Sequence, residues 1–154
     1  MGRNAYRDIR SGHPTVVVIV TAGDAGNYSS PNVRDVEGNF DHNQQGKPYY
    51  RVRLDAHNAT LAYWVSSYAA PAPVKRSEWF SAAIPAVEKI VIGNVTVYNL
   101  NLPDGKLSGF LPGGPYAQLK DVSGINIYSP ASLRETLRQI IKRNNIGRPT
   151  VVIN

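Results

Sequence analysis

The feature that most restricts the fold is Thr15-Val-Val-Val-Ile-Val-Thr21, seven consecutive residues that are all β-branched. Branching at Cβ stiffens χ1 and favours extended backbone. A strand with one wet face alternates apolar and polar residues. This run is apolar on both sides, the pattern of a strand covered above and below, as in a parallel sheet. It leads into Ala22-Gly23-Asp24-Ala25-Gly26, a turn-forming cluster.

The neighbouring segments fit an alternation of helices and strands. Residues 2–10 read as the last turns of a helix, with Tyr6 and Ile9 on one side and Ser11-Gly12 as its stop. Residues 27–48 are polar, rich in Gly and Asn, and without period. A loop of that length in a compact domain is functional or mobile. Tyr50, Leu54, Leu61, Val65 and Tyr68 form one face of a helix that ends at Ala69-Ala70-Pro71-Ala72-Pro73. Lys89–Ile92 and Val95–Leu100 read as strands of a hairpin around Gly93-Asn94. Leu102-Pro103-Asp104-Gly105 follows as a turn, and residues 106–128 look irregular. The last helix has Ser129 to cap it, Pro130 at its first position, and Ser132 with Glu135 as a second capping possibility. Its apolar stripe is Leu133, Leu137, Ile140 and Ile141, and 144–147 stops it. Thr150–Ile153 reads as one more β-branched strand.

Such an order implies α/β layering with a mostly parallel sheet. Two features sit oddly with a complete sheet of that kind. The chain opens on a helix with no strand before it, and it closes at the C-terminal end of a strand. In open α/β sheets that end carries the ligand-binding loops.

Composition excludes several classes. The 154 residues suit one domain, and 42% apolar content supplies a core. With no Cys there is neither a disulfide framework nor a thiolate metal site. The longest β-rich apolar run, Val16–Val20, is too short to cross a bilayer, and no transmembrane segment is expected. The N-terminus has no apolar core of a signal peptide. The compartment stays open between cytoplasmic and secreted, and the oligomeric state stays open too. Lys and Arg outnumber Asp and Glu 17 to 11, a net charge of +6. The one basic stripe, Arg134, Arg138 and Lys142, reads as a solvated helix face. No basic run interleaved with aromatics occurs, so nucleic acid is not the expected partner.

Catalytic motifs are sparse. His13 precedes the β-branched strand, on the wrong side of the sheet for a site. His42 follows Asp41 in the polar loop, and His57 borders an apolar helix face. No two His have the spacing of a metal-binding helix, and neither a Gly-x-Ser-x-Gly elbow nor a phosphate-binding Gly loop occurs. Gly23 to Gly26 is a short Gly-x-x-Gly after a strand, which can approach a ligand or simply turn.

Five segments carry a resemblance. Gly12-His13-Pro14 through Thr21-Ala22-Gly23-Asp24-Ala25-Gly26 is similar to the second-strand segment of the PIG-L/LmbE-like deacetylases. Tyr49-Tyr50-Arg51-Val52-Arg53 resembles the opening of their next helix. Leu100-Asn101-Leu102-Pro103-Asp104-Gly105 resembles their Leu-x-Leu-Pro-Asp-Gly turn. Ile127 to Leu133 resembles a Tyr-Ser-x-x-x-Leu helix start, and Arg148-Pro149-Thr150-Val151-Val152 an Arg-Pro-Asp-x-Val strand. The resemblance implies a Rossmann-like, mostly parallel sheet flanked by helices. It implies zinc-dependent removal of acetyl from an N-acetyl amino sugar or glycoconjugate. A zinc-bound water attacks the acetamide, with an Asp as base. The family's His-Pro-Asp-Asp/Glu motif and its later His-containing loop are both absent. Arg53-Leu54 also stands where the family carries Arg-Glu. The zinc that the family implies therefore has no ligands in this chain. The expectation is a single partial domain over 1–154, incomplete at both ends and inactive alone. The alternative is a non-catalytic carbohydrate-binding or scaffold domain.

The candidate substrate-facing residues are Gly23, Asp24, Tyr49, Arg53 and Asp104. Each has a plainer reading. Asp24 and Asp104 are common turn residues, Arg53 suits an exposed helix start, and Tyr49 and Tyr50 can stack on a sugar or pack. Trp64 and Trp79 read as packing residues. Asn27, Asn58 and Asn94 open Asn-x-Ser/Thr triplets, a faint hint of secretion.

Overall fold

The computed structural model describes residues 3–23, 49–67, 75–81, 86–111 and 113–144. The polar stretch 27–48, Asp24, His42, Asn27, Tyr68, the stop at 69–73 and the strand expected at Thr150–Ile153 lie outside them. So does the Arg148–Val152 segment of the resemblance.

Helix α1 (Arg3–Arg10) precedes strand β1 (Thr15–Thr21). Gly12 adopts φ 77°, and the amides of Ser11 and Gly12 close onto the carbonyls of Arg7 and Ile9, so the helix ends where its glycine allows. Helix α2 (Tyr49–Ser66) follows, then β2 (Lys75–Ser81), β3 (Ala86–Ile92) and β4 (Val95–Leu102). The chain continues through a short α3 (Leu107–Phe110), the hairpin β5 (Leu119–Lys120) and β6 (Ile127–Tyr128), and α4 (Pro130–Asn144).

Four strands form one sheet in the order β1-β4-β3-β2. β1 runs parallel to β4, whereas β3 pairs antiparallel with both β4 and β2. The mostly parallel sheet expected from the sequence is thus a mixed one among the described strands. The reason is local. Ile92 pairs with Val95 across a two-residue loop with positive φ only at Gly93, the pattern of a tight II′ hairpin. That turn folds β3 straight back on β4. β2 was not anticipated, and residues 106–128, read as irregular, contain α3 and the β5–β6 hairpin.

Alternation along the strands builds two cores. Val16, Val18 and Val20 pack with Tyr98, Leu100, Leu102 and Ile140 beneath α4. Val17 and Ile19 pack with Ile9, Leu61, Val65, Val95 and Val97 beneath α1 and α2. The result is a layered α/β unit with helices on both faces. Trp64 is a packing residue as expected, meeting the ring of Tyr6 edge-on at 5.3 Å. β1 itself is only half-buried along its whole length, because β4 is its sole neighbour among the described strands.

The cap of α4 is reciprocal. Ser129 Oγ accepts the Ser132 amide at 3.1 Å, and Ser132 Oγ accepts the Ser129 amide at 2.8 Å. Ser132 fills the place a Glu takes in the usual box. The second box, of Ser132 with Glu135, does not form; Glu135 instead holds Arg138 at 2.9 Å. That ion pair breaks the basic stripe of Arg134, Arg138 and Lys142, whose members are exposed.

Candidate functional site

β1 and β4 finish on the same side of the sheet. Thr21 aligns with Leu102, and the Ala22 amide reaches the Leu102 carbonyl at 2.9 Å. The next residue, Gly23, has φ 68°. A Cβ built there would lie 2.9 Å from Arg53 Nε and 3.1 Å from its Cζ. Glycine is therefore used twice at one position, for its left-handed backbone and for the close approach of a guanidinium. Arg53 remains exposed in α2. Asp104 lies half-buried in the turn beyond β4, where Gly105 has φ 72°.

Of the expected site residues, Gly23 and Arg53 are in contact and Asp104 shares their edge. Tyr49 opens α2, and its side chain is not among those described; Asp24 lies outside the described residues. His13 sits at the N-terminal end of β1, as expected, held by Ser11 Oγ at 2.7 Å from Nδ1.

Beneath this edge, the packing between α2 and the sheet turns polar. The α2-facing side of β4 reads Val95, Val97 and then Asn99, apolar first and then amide, before a bulge that places Asn101 in a left-handed backbone. Asn99 aligns with Glu88 on β3. Arg51 Nη1 donates to both Glu88 oxygens, at 3.1 and 3.2 Å, and Asn99 Nδ2 donates to Oε2 at 3.0 Å. Burial is the largest single influence on the Arg51 pKa and pulls it down, but the charge and hydrogen bond of Glu88, together with Tyr50, outweigh it and the value rises. Arg51 also lies over the Tyr50 ring, 5.4 Å from its centroid.

A carboxylate held by a guanidinium only accepts, so the orientation of Asn99 is set: Nδ2 faces Glu88 and Oδ1 faces away. That Oδ1 has no partner. The Oδ1 atoms of Asn58 and Asn101 have none either. All three residues are buried, at 3%, 2% and 4% exposure for Asn58, Asn99 and Asn101. Asn58 sits between Leu54 and Leu61 on the buried stripe of α2. Asn101 holds φ 56°, the one non-glycine with a left-handed backbone among the described residues. His57, next to this stripe, has its pKa lowered by burial and by Arg53.

Sequence reasoning missed Glu88 and Asn99 altogether, and met Arg51, Asn58 and Asn101 only inside motifs. The available signal was the change from Val95 and Val97 to Asn99 on one strand face. The Asn58 side chain is buried in α2, while Ala59 and Thr60 of its triplet are exposed. The amide nitrogen of Asn94 donates to the carbonyls of Ile9 and His13 at 3.1 and 2.7 Å.

Zinc takes imidazole, thiolate and carboxylate donors. Here the free oxygens are carboxamides, and the nearby carboxylate is held by Arg51 and Asn99. No group of three His, Asp or Glu side chains forms among the described residues. The described residues do not fit a zinc site. No described helix is long and apolar enough to cross a membrane.

No protein-family model, curated protein or solved structure matches the chain.

Proposed function

We propose that the β1/β4 edge is the amino-sugar-facing side of a PIG-L/LmbE-like domain, and that it binds an N-acetyl amino sugar without itself hydrolysing it. The observation behind this reading is the meeting of three separate segments of the resemblance at one edge. Thr21–Gly23, the α2 segment with Arg53, and the Leu100–Gly105 turn gather there, with Gly23 against Arg53. In open α/β sheets, ligands sit outside the C-terminal ends of parallel strands. The Rossmann-like arrangement belongs to the same reading, with β1 and β4 as its parallel pair and α2 within the connection between them.

The chemistry suits a sugar. Arg53 offers several fixed donors to hydroxyls or to an anionic conjugate. Asp104 accepts from hydroxyls, and Gly23 leaves room for a ring close to the backbone. No cluster of His, Asp or Glu side chains that could hold a metal forms among the described residues, so acetamide hydrolysis is not assigned to them.

The test is a titration of the purified chain with N-acetylglucosamine, followed by calorimetry and by backbone chemical shifts, alongside an acetate-release assay with added zinc. Saturable binding that shifts Gly23 and Asp104 is expected, and Arg53→Ala should weaken it about tenfold, the loss of one charged hydrogen bond. No acetate should appear. Absence of saturable binding would sink the sugar reading, and turnover with stoichiometric zinc would sink its non-catalytic part.

A further inference from the structure

We propose that the outer face of the β5–β6 hairpin, made of Lys120, Ile125 and Ile127, docks on a membrane surface carrying anionic headgroups. Ile125 and Ile127 are 61% and 54% exposed. Asn126, between them, is buried, and its Nδ2 donates to the Ala86 carbonyl at 2.9 Å and to Asp121 Oδ2 at 2.8 Å. Ile127 stands directly opposite Lys120, so these two share a face. The Lys120 stem passes Gly124, the residue before Ile125, with Cε 3.6 Å from where a Cβ would stand. The apolar and cationic parts are thus contiguous. Single exposed hydrophobes are ordinary, whereas neighbouring ones beside a cation make a surface that takes a partner.

The hairpin keeps its own negative charge inside. Asp121 is the only acid between Asp104 and Glu135, and it is buried. Its carboxylate accepts from the Ile125 amide at 3.0 Å and the Ser123 hydroxyl at 2.9 Å as well as from Asn126. The hairpin is also fastened to the sheet. The Val122 amide donates to the Asn101 carbonyl at 2.9 Å, and Asn126 holds the start of β3 through Ala86. A face on so fixed a base loses little ordering entropy on docking.

Area and charge choose the occupant. Two isoleucines expose far less than the roughly 800 Å² per partner of a stable protein interface. A second copy would also bring its own net charge of +6 against the first. An anionic lipid surface suits both features. The isoleucine side chains enter the boundary between headgroups and acyl chains, Lys120 meets the headgroup charge, and the net charge draws the chain in. Two short apolar side chains give weak, reversible attachment.

This inference does not depend on the sugar reading, and its test uses no sugar. The purified chain is sedimented with vesicles of phosphatidylcholine alone and of phosphatidylcholine and phosphatidylserine in equal parts. It should travel with the mixed vesicles and hardly at all with the neutral ones. Lys120→Gln should weaken that binding about fivefold, the attraction of one cation near an anionic surface. Ile125→Ser with Ile127→Ser should weaken it about tenfold or more, at an unchanged unfolding midpoint because both side chains are exposed. Ile127→Trp should add an indole emission that shifts to the blue on the mixed vesicles. Absence of binding to the mixed vesicles, or binding that the double serine change leaves intact, overturns the proposal. So does self-association that the double serine change abolishes, since the face would then belong to a second copy.

Discussion

Two adjacent glycines separate steric from conformational demand. A Cβ on Gly114 would fall on the carbonyl oxygen of Gly109, whose amide partner is Tyr116 at 2.9 Å. Backbone cannot swing aside as a side chain can. Gly113 has φ 88° but open space around its Cβ position. Gly113→Ala should therefore cost about 1–2 kcal/mol of backbone strain. Gly114→Ala should cost about 1–3 kcal/mol from overlap. Urea midpoints read both, and a Gly114→Ala midpoint equal to wild type would refute the close approach. His57 carries a pH signature. Burial, then Arg53, lowers its folded pKa below the ordinary 6.5. The native state thus takes the proton less readily than the unfolded chain does. Its contribution to stability is whole above pH 6.5 and is lost as pH falls through the folded value. His57→Gln should flatten the acid side of the stability profile. Arg53→Gln should raise the His57 pKa in an NMR titration. The i, i+4 spacing of Arg53 and His57 on α2 is local and readable from the sequence, but the burial of His57, the larger cause of the shift, depends on how the helix packs.

At the level of elements, local chemistry explains most boundaries. β1 matches its β-branched run, Thr15–Thr21, residue for residue. Pro130 and Ser129 mark the start of α4, since proline suits a first turn and serine accepts an orphan amide. Ser129→Ala should cost about 1 kcal/mol in thermal or urea unfolding. Ser132→Glu should be close to neutral, because a glutamate restores the usual reciprocal box. If Ser129→Ala were silent, the cap would not be holding the helix. The sequence paired Ser132 with Glu135 as an alternative, since that spacing also fits a box. Only the folded helix shows Glu135 spent on Arg138, which with Gln139 lowers its pKa to about 2. β2 escaped notice because Lys75-Arg76-Ser77-Glu78-Trp79-Phe80-Ser81 has neither a β-branched residue nor an apolar alternation. Its pairing with β3 is what makes it a strand.

Across the whole molecule, β4 is the load-sharing centre. It lies between β1 and β3, and both of its faces are buried under helices. Amides of Val97 and Tyr98 should exchange most slowly in native-state hydrogen exchange, at the rate of global opening. Amides of β3 and β4 should outlast those of β1, which has one partner strand among the described residues. Faster exchange in β4 than in β1 would overturn this ranking.

The candidate site divides along the same line. Gly23, Arg53 and Asp104 were legible from turn chemistry and from the resemblance, both of which live in short stretches of chain. The run of β-branched residues, the helix stops and the caps likewise depend on neighbours a few positions away, so the sequence alone determined them. The mixed sheet order and the tie from Arg51 to Glu88 join residues tens of positions apart. Such pairings follow from which faces are buried together, a property of the packed layers that no single segment carries.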